Sequence, residues 1–530
     1  MDHSKPTTAV TNEKGVTFDD ALSMAKFGVC NIVLMAISGT ILAAFLLETL
    51  GISYVIAVAG CDLQLSTQEK GSLSAVGFLG VIVSSHLWGF LADTRGRRKV
   101  IVPTLLLTFV MTVISSFMTN FWLITFFRFL AGIFISGSSA TIYAYLGEFH
   151  NQQNGSRAIM GASFVFGLGC ILLPGIAFGV INQEWELLIS PLGIIYRPWR
   201  LFLVVCSIPG LIAGFILIWF PESPKFVLMQ GDVTQAIETV QWIHRFNCGR
   251  KVEPLPIESI LGETEAQQSK DRRAELSRTK GISALAKLVW NQTAPLFMGS
   301  FLKKTMIVCF LQFGTYLTSH GTYMFFPSIL NQVMEARETG QDRFSICEVV
   351  YERGNFSTTE LDADETCHQT LDVTIYEMSF ILEVIYALGF AIIEMIINTV
   401  GRLPILVFVF AGCGIAGLLM TFVDIPMLAV WCYMILVMCG FAGSIVNAIT
   451  VDLFPTNLRA MAVCISSMFG RLGGVAGANL FGLLLETRCE LTFAIPGTLL
   501  IACGLLSFFI PNIYRRGTRP EMRHSVSSRV

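Results

Sequence analysis

Long apolar runs separated by short polar turns fill the chain between residues 31 and 511. A helix of about 20 mostly apolar residues crosses the hydrocarbon core of a bilayer. Scanning at that length predicts twelve spans, at 31–58, 71–92, 100–119, 121–147, 158–181, 200–220, 301–326, 375–397, 403–423, 427–450, 460–485 and 491–511. Polar stretches interrupt the pattern and set the expected organisation. Residues 1–27 precede a six-span bundle at 28–220, and 221–299 form a charged linker with short amphipathic helices, for example around "TQAIETVQWIHRF". A second six-span bundle at 300–511 carries one long acidic loop at 331–374, and 512–530 form a tail. The expectation is an all-α membrane protein built as two six-helix halves.

Composition narrows the function. With 53% hydrophobic and 14% charged residues and a mean hydropathy of +0.64, the chain has too little polar surface for a soluble globule of its length. A net charge of −2 and the lack of a basic, aromatic-lined patch argue against nucleic acid as a partner. The first apolar run is too long for a signal-peptide core and is read as a retained span. The 14 cysteines lie mostly singly in apolar runs, with no spacing suited to a metal or redox site. No cofactor and no metal are expected. No nucleophile or phosphate-binding motif stands out, so an enzyme is disfavoured.

Lys and Arg in the connections and the tail predict orientation. With both termini cytoplasmic, the inner side holds Arg95, Arg97, Arg98, Lys99, Arg157, Arg402, Arg459, Arg515, Arg516, Arg519, Arg523 and Arg529, against Lys70, Arg197, Arg200 and Arg488 outside. The halves also echo each other. Gly96-Arg97 recurs as Gly401-Arg402, an offset of 401 − 96 = 305, and Glu148 recurs as Asp452, an offset of 452 − 148 = 304. Two different motifs at nearly one offset argue for a duplicated, pseudo-symmetric architecture.

The turn after span 2, "GFLADTRGRR", resembles the major facilitator superfamily pattern at Gly89, Asp93, Gly96, Arg97 and Arg98; span 4 is similar to its Arg-x-x-x-Gly helix at Arg128 and Gly132, closing with Glu148. "PESPKF", Pro221 to Phe226, resembles the end of span 6 in sugar porters, organic ion transporters and vesicle glycoproteins. The lead-in "TFDDALSMAKFG" and the enlarged loop between spans 7 and 8 resemble the synaptic vesicle glycoprotein 2 branch. That likeness implies the major facilitator fold and transport of a small organic solute. It also implies a multi-pass protein of the plasma membrane or of a secretory or synaptic vesicle.

Ionisable side chains inside a bilayer are functional candidates because they are costly to bury. Glu48 in span 1 and Arg128 in span 4 fall at similar depth and are expected to pair. Two roles stay open for them, a permanent helix clip and a proton switch of the kind some proton-coupled sugar porters use. In the second half the candidates are Arg471, Glu383, Asn447 and His320 with its neighbours Tyr316, Tyr323 and Phe325. Organic anion transporters resemble this chain in placing a cation in span 11, so Arg471 is a candidate for a substrate carboxylate or sulfate. Neutralising Glu383 is its alternative role. The aromatic group around His320 suits either an amphipathic ligand or packing.

At the inner side, Gly89, Asp93, Gly96 and Arg97 are read as a gate, with Gly89 allowing close helix approach and Asp93 pairing with Arg97 at i+4. Glu148 with Arg157, and Asp452 with Arg459, are read as latch pairs beside Gly401 and Arg402. Asn355 is the one glycosylation sequence expected outside. Cys347 and Cys367 are expected to form a disulfide in the long loop, although Cys61 and Cys489 also fall outside and four cysteines admit three pairings.

The leading expectation is a symporter or uniporter for a small organic solute, with an organic anion as one class and protons as a candidate coupling partner. Membrane lipid surrounds it, and the outer loop and tails could bind protein partners. A glycoprotein acting mainly by partner binding, and a sugar porter, are the alternatives.

Overall fold

The computed structural model describes residues 15–63, 65–190, 193–249, 252–257, 259–260, 293–338, 343–356, 371–454, 456–485 and 487–510. In the first half, α1 (Phe18–Met24) leads to α2 (Val29–Leu50), which Gly51 separates from α3 (Ile52–Val58) and the short α4 (Gly60–Leu63). Then follow α5 (Thr67–Arg95), α6 (Arg97–Ser116), α7 (Phe121–Glu148), α8 (Gln152–Ile181) and α9 (Pro198–Leu217), with α10 (Pro224–Met229) and α11 (Val233–Cys248) after the last span. The second half comprises α12 (Leu302–Glu338), α13 (Ile346–Phe356), α14 (Val373–Val400), α15 (Arg402–Leu419), α16 (Pro426–Val437), α17 (Phe441–Leu453), α18 (Thr456–Leu484) and α19 (Cys489–Ser507).

Local signals fix where these helices start. Ser66 and Glu69 form a reciprocal capping box on α5, the Asn120 side chain accepts from Trp122 N at α7, and Pro198 and Pro426 open α9 and α16, where a missing N–H costs nothing. Between residues 426 and 450 a single span is made of α16, a short 3-10 turn and α17.

Among the described residues, eleven segments are long and apolar enough to cross a membrane. Helix α12 is not one of them, although it occupies the seventh position and runs for 37 residues. The reason is its buried polar face, which carries Gln312, Thr315, Thr318, Ser319 and Thr322. It also continues to Glu338, so the loop expected from residue 331 begins as helix and contains a second helix, α13.

Helices α5, α6 and α7 pack together in the first half, as do α12 and α18, and α15 and α19, in the second. Contacts between halves run from α5 to α18, from α3 to α12 and from α8 to α14. The α5–α18 seam lies at the end of the molecule where α5 begins, called here the Asp62 end. There a Cβ on Gly71 would sit 2.8 Å from the Ala478 carbonyl, and one on Gly482 would sit 2.7 Å from that of Thr67. Only glycine permits backbones this close. Ser72 Oγ donates to Asn479 Oδ1 across the seam at 3.3 Å.

Candidate functional site

Glu48 and Arg128 are 3% and 5% exposed and form an ion pair of 2.6 Å between α2 and α7. The Thr112 hydroxyl of α6 donates to the same Oε1, and Arg128 also donates to the Glu48 backbone carbonyl. Three spans therefore meet at one carboxylate. Glu48 Oε2 is buried without a hydrogen-bond partner.

The candidates of the second half line up on α12. Gln312 Nε2 donates to Asn447 Oδ1 at 2.7 Å and to the Gly443 carbonyl at 3.3 Å. One turn on, the Tyr316 ring lies 4.9 Å from that of His320, which also meets Phe78 of the first half edge-on at 4.8 Å. Tyr323 Oη donates to Glu383 Oε1 at 2.7 Å. Phe325 belongs to a different face, stacked on Phe481.

Arg471 does not neutralise Glu383. It lies beside Tyr316, whereas Glu383 is held at Tyr323, seven residues or about 10 Å further along α12. Among the described residues Arg471 has neither an ion pair nor a hydrogen bond.

At the Gly96 end, opposite the Asp62 end, Arg97 binds Asp93 at 3.1 Å and Glu148 at 3.0 Å, and donates to the Ala92 carbonyl at 3.1 Å. Its guanidinium lies 4.9 Å from the centre of the Phe226 ring. The side chain of Arg157, expected to pair with Glu148, lies outside the described residues; among the described residues Glu148 pairs with Arg97, which projects from the first turn of α6. Gly89 does not serve a close approach, since a Cβ there would meet nothing within 4 Å.

Glu222, in the "PESPKF" stretch, was not expected to act here. Its carboxylate accepts from the backbone N–H of Arg97 at 2.9 Å and of Arg98 at 3.0 Å, capping the start of α6 where a negative charge is favoured. Arg98 reciprocates by donating through Nε to the Leu217 carbonyl at 3.0 Å, at the end of α9, and through a second N–H to Ile218. Gly96, with φ of +116°, admits this arrangement, because a Cβ there would lie 2.4 Å from Glu222 Oε2. In the second half Gly401 repeats the turn with φ of +96°, and Arg402 donates to the Ala448 carbonyl at 2.8 Å. The side chains of Asp452 and Arg459 lie outside the described residues.

The Asp62 end holds a cluster that counting charges concealed. Asp62 accepts from Arg197 at 2.9 Å, Arg200 at 3.1 Å and Trp199 Nε1 at 3.2 Å. Arg200 also donates to the Ser116 and Met118 carbonyls at 2.9 and 2.6 Å, closing the end of α6. Both arginines had been counted only as outer-side charges.

The expected Cys347–Cys367 disulfide is corrected: Cys347 bonds to Cys489, with Cα atoms 5.4 Å apart, and Cys367 lies outside the described residues. Helix α13 brings Cys347 to the first residue of α19. Tyr351 fixes the approach, donating to Glu490 at 2.9 Å and accepting from Cys489 N at 2.8 Å. The side chain of Asn355 lies outside the described residues.

A model described as Major Facilitator Superfamily matches residues 27–341 and 365–528. Human synaptic vesicle glycoprotein 2B is 22% identical over 576 aligned residues, spanning 90% of this chain and 83% of that protein. Rat synaptic vesicle glycoprotein 2A is 26% identical over 306 residues, covering 56% of this chain and 41% of that protein. Among solved structures, the inward-open xylose transporter XylE from E. coli superposes with a TM-score of 0.63 at 16% identity, covering 94% of this chain and 98% of that one.

Proposed function

Because the chain belongs to the Major Facilitator Superfamily, and so to transporters of small solutes in membranes rather than to enzymes, we propose that it carries a small organic anion by alternating access. The bundles at 28–220 and 300–511 would rock about the region between α5 and α12, with the linker 221–299 and both termini on the cytoplasmic side. The excess of Lys and Arg in the connections at the Gly96 end supports that orientation.

One observation carries the anion reading. Arg471 lies on α18 beside Tyr316 with no counter-charge among the described residues. An unpaired guanidinium within the spans is costly, and a substrate carboxylate or sulfate would relieve that cost while the rings of Tyr316 and His320 receive an apolar body. Glu48 already has Arg128 and Thr112, which supports the helix-clip role over a proton switch. A likeness to a xylose transporter at 16% identity concerns the fold and does not carry the sugar over to this chain.

The test is uptake of labelled aromatic and aliphatic carboxylates and sulfates into proteoliposomes. Wild-type protein is expected to take up at least one, and Arg471→Gln to raise its KM tenfold or more. Uptake of anions with unchanged KM in Arg471→Gln would overturn the reading. Partner binding is a second function to test, favoured by the disulfide that ties α13 to α19.

A further inference from the structure

Glu383 stands in an unusual position for a carboxylate between membrane spans. It is buried, receives one hydrogen bond, from Tyr323, and has no cation paired with it among the described residues. Its neighbours on the same face of α14 follow at intervals of four and three residues, namely Ser379 and Tyr376. Both are 4% exposed; Tyr376 Oη has no hydrogen-bond partner, and the Tyr54 hydroxyl lies beside Ser379 Oγ. Buried hydroxyls are usually satisfied. An unpartnered tyrosine hydroxyl and a serine hydroxyl beside a carboxylate with no paired cation leave acceptor capacity that the described residues do not fill.

The surroundings are aromatic. Tyr54, from α3 of the first half, stacks on Tyr376 with centroids 6.2 Å apart and planes 2° from parallel, and Phe178 of α8 meets Tyr376 edge-on at 5.4 Å. Tyr54 neighbours both Ser379 and Glu383. Carboxylate, hydroxyl and ring faces together are the features that recognise an ammonium, which brings three N–H donors and gains from aromatic faces.

We propose that Glu383, Ser379 and Tyr376, closed over by Tyr54, form a site for a primary ammonium group of the transported solute. This rests on the anion reading for Arg471 and extends it. The three α14 groups and Tyr323 belong to the second half and Tyr54 to the first, so the site opens when the halves part and closes when they meet. The ammonium site and the Arg471 site lie at Tyr323 and Tyr316, about 10 Å apart on α12. The organic anion of the first reading would then also carry an ammonium, set roughly 10 Å along α12 from its carboxylate or sulfate.

The experiment measures thermal unfolding of the full chain in nanodiscs, titrated at fixed pH with octylammonium, octanoate, 8-aminooctanoate and sodium chloride. The zwitterion should bind the wild type more tightly than either single-charge probe. Glu383→Gln should weaken octylammonium at least tenfold and leave octanoate unchanged. Should Glu383→Gln not fold, the double variant Tyr376→Phe with Ser379→Ala removes both hydroxyls and should weaken octylammonium at least threefold. The proposal is overturned if octylammonium does not bind the wild type, if it binds Glu383→Gln equally, or if sodium competes with it mole for mole. Arg471→Gln separates the two readings: octanoate affinity unchanged in that variant sinks the anion site while leaving the ammonium site standing.

Discussion

At the scale of single residues, charge inside the spans was the most legible signal. Glu48 and Arg128 are conspicuous because each sits alone in an apolar run, and the cost of burying either one makes a partner necessary. For Arg471, pairing with Glu383 was one of two open roles, and the structure separates them: Arg471 lies beside Tyr316 and Glu383 at Tyr323, about 10 Å further along α12. Removing Arg128 should show what the first pair does. Arg128→Leu leaves Glu48 buried without its counter-charge, which typically costs about 3–5 kcal/mol. The double variant Glu48→Gln with Arg128→Leu should recover much of that loss. Thermal unfolding in detergent checks this, and a double variant no more stable than the single one would contradict the clip.

At the scale of elements, the spans were readable from hydropathy, but their ends and neighbours were not. Helix α12 runs past its expected end at 326 to Glu338, into a stretch whose polar residues read as loop. The motif around Gly96 announced Asp93 and Arg97, yet the groups that organise the turn are Glu148 and Glu222, remote in sequence. Asp93 is 74% exposed in its ion pair, against 14% for Glu148, and exposed pairs are weak. Glu148→Gln should therefore perturb stability and conformational balance more than Asp93→Asn. Loss of the α6 cap in Glu222→Ala should cost about 0.5–2 kcal/mol. Unfolding midpoints, together with cysteine accessibility at the Gly96 end, give the ranking; an Asp93→Asn effect equal to that of Glu148→Gln would reverse it.

Across the whole molecule, the internal repeat foretold two halves, but the seam between them is set by backbone approach, which composition does not reveal. Gly71 and Gly482 let α5 and α18 touch at the Asp62 end. A larger side chain at either should hold the halves apart there, so Gly71→Leu is expected to keep the Asp62 end open and to cut solute exchange tenfold or more while the protein remains folded. Thiol labelling of a cysteine placed at Ser72 reads the opening, and labelling as slow as in the unblocked protein would count against the seam as a closure. The disulfide belonged to the three pairings left open: proximity in the loop sequence favoured Cys367, whereas folding brought in Cys489, 142 positions away. That bond ties α13 to a helix of the second half alone. A binder gripping α13 would thus grip one moving body of the carrier and leave the other free, so its affinity for that helix could stay constant through the cycle unless it also touched the first half. Contact with both would convert a passive label into a brake.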